Sequence, residues 1–182
     1  MRRLLLLRHA KTENDAPTGQ DQDRRLDDRG RLDATAIGGW IGRHPPYVPD
    51  AVLVSPAVRA QQTWEIVRDA IKTQATPPRV EFHAELYGAD PAQLLQIIRM
   101  AEATDPQRLM VVGHNPGMHE LALALVGGGG DAAAKKALDD NLPTTGLAIL
   151  DFAIEDWNEV AFRRGTLVRF ASPKWLKQGL DD

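Results

Sequence analysis

Residues 1–13 read MRRLLLLRHAKTE, four leucines set between Arg2-Arg3 and Arg8-His9. A secretory signal carries an apolar region of about 7–15 residues, so a run of this length is too short to be one. Residues 4–7 instead suit a strand buried on both faces, the habit of parallel sheets. Such a strand delivers Arg8 and His9 directly off its carboxyl end. Two cations at that place call either for solvent or for an anion.

Working outward, the chain alternates short apolar runs with longer periodic segments. Strands are expected at 3–8, 51–55, 79–82, 108–113, 146–152 and 165–170, and helices at 28–42, 56–73, 91–104 and 116–126. The alternation implies crossover units and a three-layer α/β/α fold whose sheet is mostly parallel. No helix separates the last two strands, so that edge reads as an antiparallel hairpin with its turn near 155–158. One domain spans 1–182. Ser55-Pro56, Asp90-Pro91 and Asn115-Pro116 each read as a capping residue followed by proline at the first helical position. Residues 14–25 are polar and read as a mobile loop over an edge of the sheet. Residues 127–130 are four glycines that read as a helix terminator and flexible surface segment. They lack the strand before and the Lys-Ser/Thr after that a phosphate loop requires.

Composition narrows the chemistry. The 182 residues are 43% apolar and 26% charged, ordinary globular usage, and no run approaches the ~20 residues that span a bilayer. There is no cysteine, which removes disulfides, thiolate nucleophiles and cysteine metal sites, and fits a cytoplasmic protein. A net charge of −3 without a long basic face argues against nucleic acid as partner.

Ligands of open parallel sheets bind beyond the carboxyl ends of the strands. The first strand ends in Arg8-His9, the second runs into Ser55 with Arg59 a turn further on, and the fourth ends in Gly113-His114-Asn115. Any one of these reads as a strand-end surface group. Two arginines and two histidines arriving from three strand ends, with helix N-termini behind them, suit a phosphoryl group. With no cysteine, and with Ser55 read as a helix cap, a histidine remains as nucleophile, its second ring nitrogen held by an acceptor such as a backbone carbonyl. His44 and His83 read as ordinary side chains. His119 lies five residues past His114, which does not support a zinc pair, and no metal or cofactor is implied.

These residues resemble the histidine phosphatase superfamily, of the phosphoglycerate-mutase-like fold. LLLRHAKTE is similar to its Arg-His-Gly signature, VSPAVRAQQT to its second arginine motif and VVGHNPG to its second histidine motif. Ala10 in place of glycine, DRRLDDRGRLDA, ELYGAD, GHNPG and LPTTGLAILDF more narrowly resemble the short phosphohistidine phosphatases of the SixA type. The resemblance implies His9 as the phosphorylated nucleophile, with Arg8, Arg59 and His114 binding the phosphoryl group and Lys11 assisting. Members that use a glutamate as proton donor place it before a tyrosine-glycine pair. AELYG puts Glu85 one residue out of step with that, a candidate acid or a plain exposed carboxylate.

The implied activity is hydrolysis of phosphohistidine or of small phosphate compounds, the partner being a phosphorylated substrate such as a phosphohistidine-bearing signalling protein. A phosphoglycerate-type mutase and a non-catalytic phospho-ligand binder are the alternatives.

Overall fold

The computed structural model describes residues 1–72 and 76–179. Its strands are β1 (Arg2–Arg8), β2 (Ala51–Val54), β3 (Arg79–Phe82), β4 (Arg108–Gly113), β5 (Leu147–Phe152) and β6 (Thr166–Ala171), joined into one sheet of order β3-β2-β4-β1-β5-β6. β1 and β2 both pair with β4 in parallel, and β3 pairs in parallel with β2. β5 runs antiparallel to β1, and β6 antiparallel to β5, which supplies the expected hairpin.

β1 is central because of its leucines. Successive strand side chains point to opposite faces, and all of Leu4, Leu5, Leu6 and Leu7 are fully buried. Leu4 and Leu6 join the core beneath α3 (Pro91–Arg99), α4 (Gly117–Leu125) and α5 (Ala132–Asp140). Leu5 and Leu7 join the opposite core, under α1 (Asp28–Gly42) and α2 (Val58–Ile71), where Trp175 of α6 (Pro173–Lys177) also packs. The result is the three-layer α/β/α fold.

The helices depart from expectation in informative places. α2 begins at Val58 and α4 at Gly117, so Pro56 and Pro116 lie outside them; the residue before α2 gives no side-chain cap, whereas Asn115 Oδ1 accepts from His119 N in the first turn of α4 at 3.2 Å. α2 ends at Ile71, with Lys72 left-handed at φ 59°, and the expected terminus Thr73 lies outside the described residues. α3 does begin at Pro91, where Asp90 and Gln93 form a reciprocal capping box, and it tightens to a 3₁₀ turn over Met100–Ala103. The segment after the glycines is α5, capped by Asp131, whose side chain accepts from Ala134 N. Residues 14–25 lie over the strand ends and are tethered there. Thr12 bridges Leu26, Leu26 N donates to Gln62 Oε1, and Asp21–Asp23 forms a 3₁₀ turn. Among the described residues, no helix is long and apolar enough to cross a membrane.

The fully buried Leu6 sits midway along β1. Leu6→Ala is expected to cost about 3 kcal/mol in a urea titration, the transfer and cavity loss of a buried leucine. A loss under about 1 kcal/mol would show that this strand is not the centre of the core.

Candidate active site

Arg8, His9, Ser55 and His114 leave the carboxyl ends of the adjacent strands β1, β2 and β4, and Arg59 lies in the first turn of α2. The main chain of β1 is gripped on both sides as it ends. Arg8 N donates to Gly146 O and His9 N to Gly113 O, while Thr145 N lies 3.1 Å from both Arg8 O and His9 O. Ala10 N donates to Thr63 Oγ1 at 2.9 Å, and that hydroxyl donates in turn to Arg59 O at 2.7 Å. The nucleophile candidate and the arginine candidate are thus tied through one buried threonine.

His9 is 7% exposed, and its Nδ1 donates to Ala10 O at 2.8 Å. A carbonyl only accepts, so Nδ1 carries the proton and Nε2 keeps its lone pair. Burial first, then the His114 ring and the charges of Arg59 and Arg8, hold the His9 pKa down to about 3, against the Ala10 hydrogen bond. The rings of His9 and His114 lie 5.2 Å apart. His114 Nε2 is 2.6 Å from Ser55 Oγ, and burial followed by Arg59 holds its pKa down to about 4. Both imidazoles are therefore neutral at pH 7.

Around them stand cations. Arg59 is 5% exposed. Arg8 is half-buried and has no acidic partner among the described residues; its Nη1 donates to Leu142 O at 3.2 Å. The same carbonyl accepts from Asn115 Nδ2 at 2.8 Å. Nε of Arg8, Nε of Arg59 and Nδ1 of His114 are buried without a hydrogen-bond partner. A cradle of fixed donors around two neutral imidazoles is short of negative charge, and a phosphoryl group supplies it.

Glycine sets the walls. A Cβ on Gly117, in the first turn of α4, would stand 2.1 Å from Ala89 O. One on Gly30, in the first turn of α1, would stand 2.1 Å from Lys11 O. Both helix starts press on backbone beside the site, which accounts for the second glycine of GHNPG.

Lys11 and Glu85 are placed differently from the other four. The Lys11 ammonium lies 3.8 Å from Asp27, the cap of α1. Glu85, 72% exposed in the turn Ala84–Leu86, lies 2.7 Å from His83 Nδ1. In a tight turn of about three residues, positions two apart point different ways, and here Tyr87 faces the site. Its ring meets His114 edge-on at 5.5 Å, and its hydroxyl donates to Asp21 Oδ2 at 2.5 Å.

Several contacts at the site were not legible in the sequence. Asp21 reaches over from the 14–25 loop to pair with Arg59 at 3.0 Å. Tyr87, then Arg59, hold its carboxyl down to about 2. Ser55 touches His114 and only weakly caps its own turn, at 3.4 Å from Ala57 N. Thr145 is fully buried, holds a left-handed φ of 61° and has an unpartnered hydroxyl. A β-branched residue with positive φ is a genuine outlier and marks a constrained place. Among the described residues no group of three or more His, Cys, Asp or Glu is arranged to hold a metal ion. An apolar cleft of 240 Å3 lined by Ala51, Arg79, Ile97 and Leu109 includes none of Arg8, His9, Arg59 and His114.

The chain belongs to the histidine phosphatase superfamily, branch 1, whose family model matches residues 4–87. An uncharacterised protein of Mycobacterium tuberculosis is 36% identical over 170 residues, covering 92% of this chain and all of its own. An uncharacterised protein of Mycobacterium leprae is 32% identical over 173 residues, with the same coverage. Among solved structures, one from Agrobacterium tumefaciens provisionally named phosphohistidine phosphatase SixA is 31% identical. It has a TM-score of 0.73 and covers 94% of this chain and 99% of its own. A second provisional SixA, from Nakamurella multipartitia, is 28% identical with a TM-score of 0.78, covering 94% and 96%. These likenesses are to SixA-type proteins and support phosphatase function.

The two histidines make stability depend on pH. Both pKa values lie below the ordinary 6.5, so below that value the unfolded chain binds more protons than the folded one. Their contribution is complete above pH 6.5, declines as pH falls below it, and is gone below about 4 for His114 and about 3 for His9. From about pH 7 to about pH 5, urea unfolding is expected to show a loss on the order of 1 kcal/mol per pH unit per histidine. The double variant His9→Asn/His114→Asn should lose clearly less, and an equal loss would contradict the assignment.

Proposed function

We propose that this protein is a phosphatase that passes a phosphoryl group through His9, acting on phosphohistidine or on small phosphate compounds. The observation that carries this reading is a buried, neutral His9 with Nδ1 tied to Ala10 O, set beside Arg8, a cation with no acidic partner among the described residues. In the first step the Nε2 lone pair attacks phosphorus, and the bond to the leaving group breaks with its electron pair going to that group. In the second, a water oxygen attacks and the P–Nε2 bond breaks, returning its pair to the imidazole and releasing inorganic phosphate. Arg8, Arg59 and His114 receive the charge on the phosphoryl oxygens, the contribution that dominates phosphoryl transfer.

The leaving group favours phosphohistidine. An imidazole departs with far less protonation help than an alkoxide, and Glu85, the carboxylate expected to give that help, stands 72% exposed beside His83 with no contact to Arg8, His9, Arg59 or His114 among the described residues. A compatible hollow of 140 Å3 beside His114 is lined by Gly88, Asp90, Asn115 and Glu120. The solved protein histidine phosphatase SixA with tungstate shares the fold, at 22% identity and a TM-score of 0.72. The physiological target consistent with this is a phosphohistidine on a signalling protein.

His9→Ala is expected to abolish turnover of an aryl phosphate and of a phosphohistidine peptide, and to remove acid-labile phosphoenzyme on rapid quench. Full activity in the variant would overturn the route. A substrate panel should rank phosphohistidine peptides above sugar phosphates in kcat/KM, and the reverse order would move the protein toward sugar-phosphate chemistry.

A further inference from the structure

The second step leaves a proton to be placed. Water attacking the phosphohistidine must lose one, and none of Arg8, Arg59, His114 and Glu85 is suited to take it. Arginine has no free base. His114 is buried with its Nε2 engaged by Ser55 Oγ at 2.6 Å, and Glu85, 72% exposed beside His83, touches none of the cradle residues among the described residues. The carboxylate bonded directly to the proposed phosphoryl cradle is Asp21.

Its contacts are specific. Asp21 Oδ2 accepts from Arg59 Nη2 at 3.0 Å and from Tyr87 Oη at 2.5 Å. Oδ1 accepts from Arg24 Nε at 3.0 Å, and the main-chain carbonyl accepts from Arg59 Nη1 at 2.8 Å. Two oxygens of residue 21 therefore sit on the fork of Arg59, where they stand in for two phosphoryl oxygens. A phosphoryl group that takes over that fork displaces the Asp21 carboxylate only sideways, because Tyr87 and Arg24 still hold it. Tyr87 itself lies against His114, so the displaced carboxylate stays at the wall of the site. With its side chain 52% exposed, Asp21 borders both the cradle and solvent, the place from which water approaches.

We infer that Asp21 is the general base of dephosphorylation. As the water oxygen bonds to phosphorus and the P–Nε2 bond breaks toward the imidazole, the water proton passes to the Asp21 carboxylate, which returns it to solvent after phosphate leaves. Its ionised form in the free protein is the form this step needs. Loss of the Arg59 contact and the approach of a phosphoryl dianion both raise its proton affinity at the moment of use. The inference rests on the His9 route proposed above.

The test is Asp21→Asn in the full chain, with p-nitrophenyl phosphate as substrate. Nitrophenolate departs without a proton, so the first step stays outside the experiment. Steady-state kcat is expected to fall roughly 10²-fold, the usual scale of general base catalysis. The pre-steady-state burst of nitrophenolate should persist, with acid-labile phosphoenzyme rising to near one per site. Added formate should restore part of the turnover in Asp21→Gly. Phosphate binding by calorimetry, retained or tightened in Asp21→Asn, shows that the variant is folded with an intact cradle. Unchanged kcat, or a fall in kcat without accumulation of phosphoenzyme, overturns the role of Asp21. Absence of phosphoenzyme in the wild type, together with an active His9→Ala, overturns the His9 route itself and is thereby told apart.

Discussion

The end of β1 is the constraint on which the site depends. Within Arg8 and His9 the main chain passes from sheet pairing to a set of individual restraints. One comes from Gly146 on the β5 side, one from Gly113 on the β4 side, and Thr145 N–H reaches both carbonyls. A strand whose leucines are buried on both faces cannot slide or rotate without exposing them. The hydrophobic core therefore fixes the position of His9 as firmly as its own hydrogen bonds do. The imidazole then needs only Ala10 O to select its tautomer. Packing, backbone and protonation state are here consequences of one short segment.

The electrostatics follow from that position. A histidine held among arginines in a dry place cannot be charged, and neutrality is what a nitrogen nucleophile requires. The same surroundings hold His114 neutral. Among the described residues Arg8 has no carboxylate partner, whereas Arg59 borrows one from Asp21. The two guanidiniums thus differ in the free protein: one is open and the other is already engaged by the chain's own anion. A ligand meets them in unlike states although both have the same chemistry.

Much of this could be read from sequence because it rests on local pattern. Buried strands show as apolar runs, and the three motifs stand at strand ends, so the sheet and the quartet Arg8, His9, Arg59 and His114 came together. Ser55-Pro56 and Asn115-Pro116 look like helix caps, and Asn115 Oδ1 does accept from His119 N in the first turn of α4, yet both side chains also serve the site. Ser55 Oγ lies against His114, and Asn115 Nδ2 donates to Leu142 O. The helices accordingly begin further on. The glycines at 127–130 concealed α5, although Asp131 before three alanines is a sound helix start. Asp21 and Thr145 were out of reach for a different reason. Each acquires its place from contacts far away in the chain, and no period or motif announces them.

The carbonyl of Leu142 accepts from both the Arg8 guanidinium and the Asn115 amide. One oxygen thereby gears the β1 side of the site to the β4 side, and the same turn carries Thr145, clamped to β1. The floor of the site is consequently tied across β1 and β4 by a single turn. The opposite rim is built separately, from a polar stretch that meets the floor through side chains such as Asp21. The phosphoryl cradle and the access to it are thus divided between two parts of the chain, joined at Asp21. Sequence change in residues 14–25 other than Asp21 can redirect which molecules arrive while leaving intact the machinery that receives their phosphate.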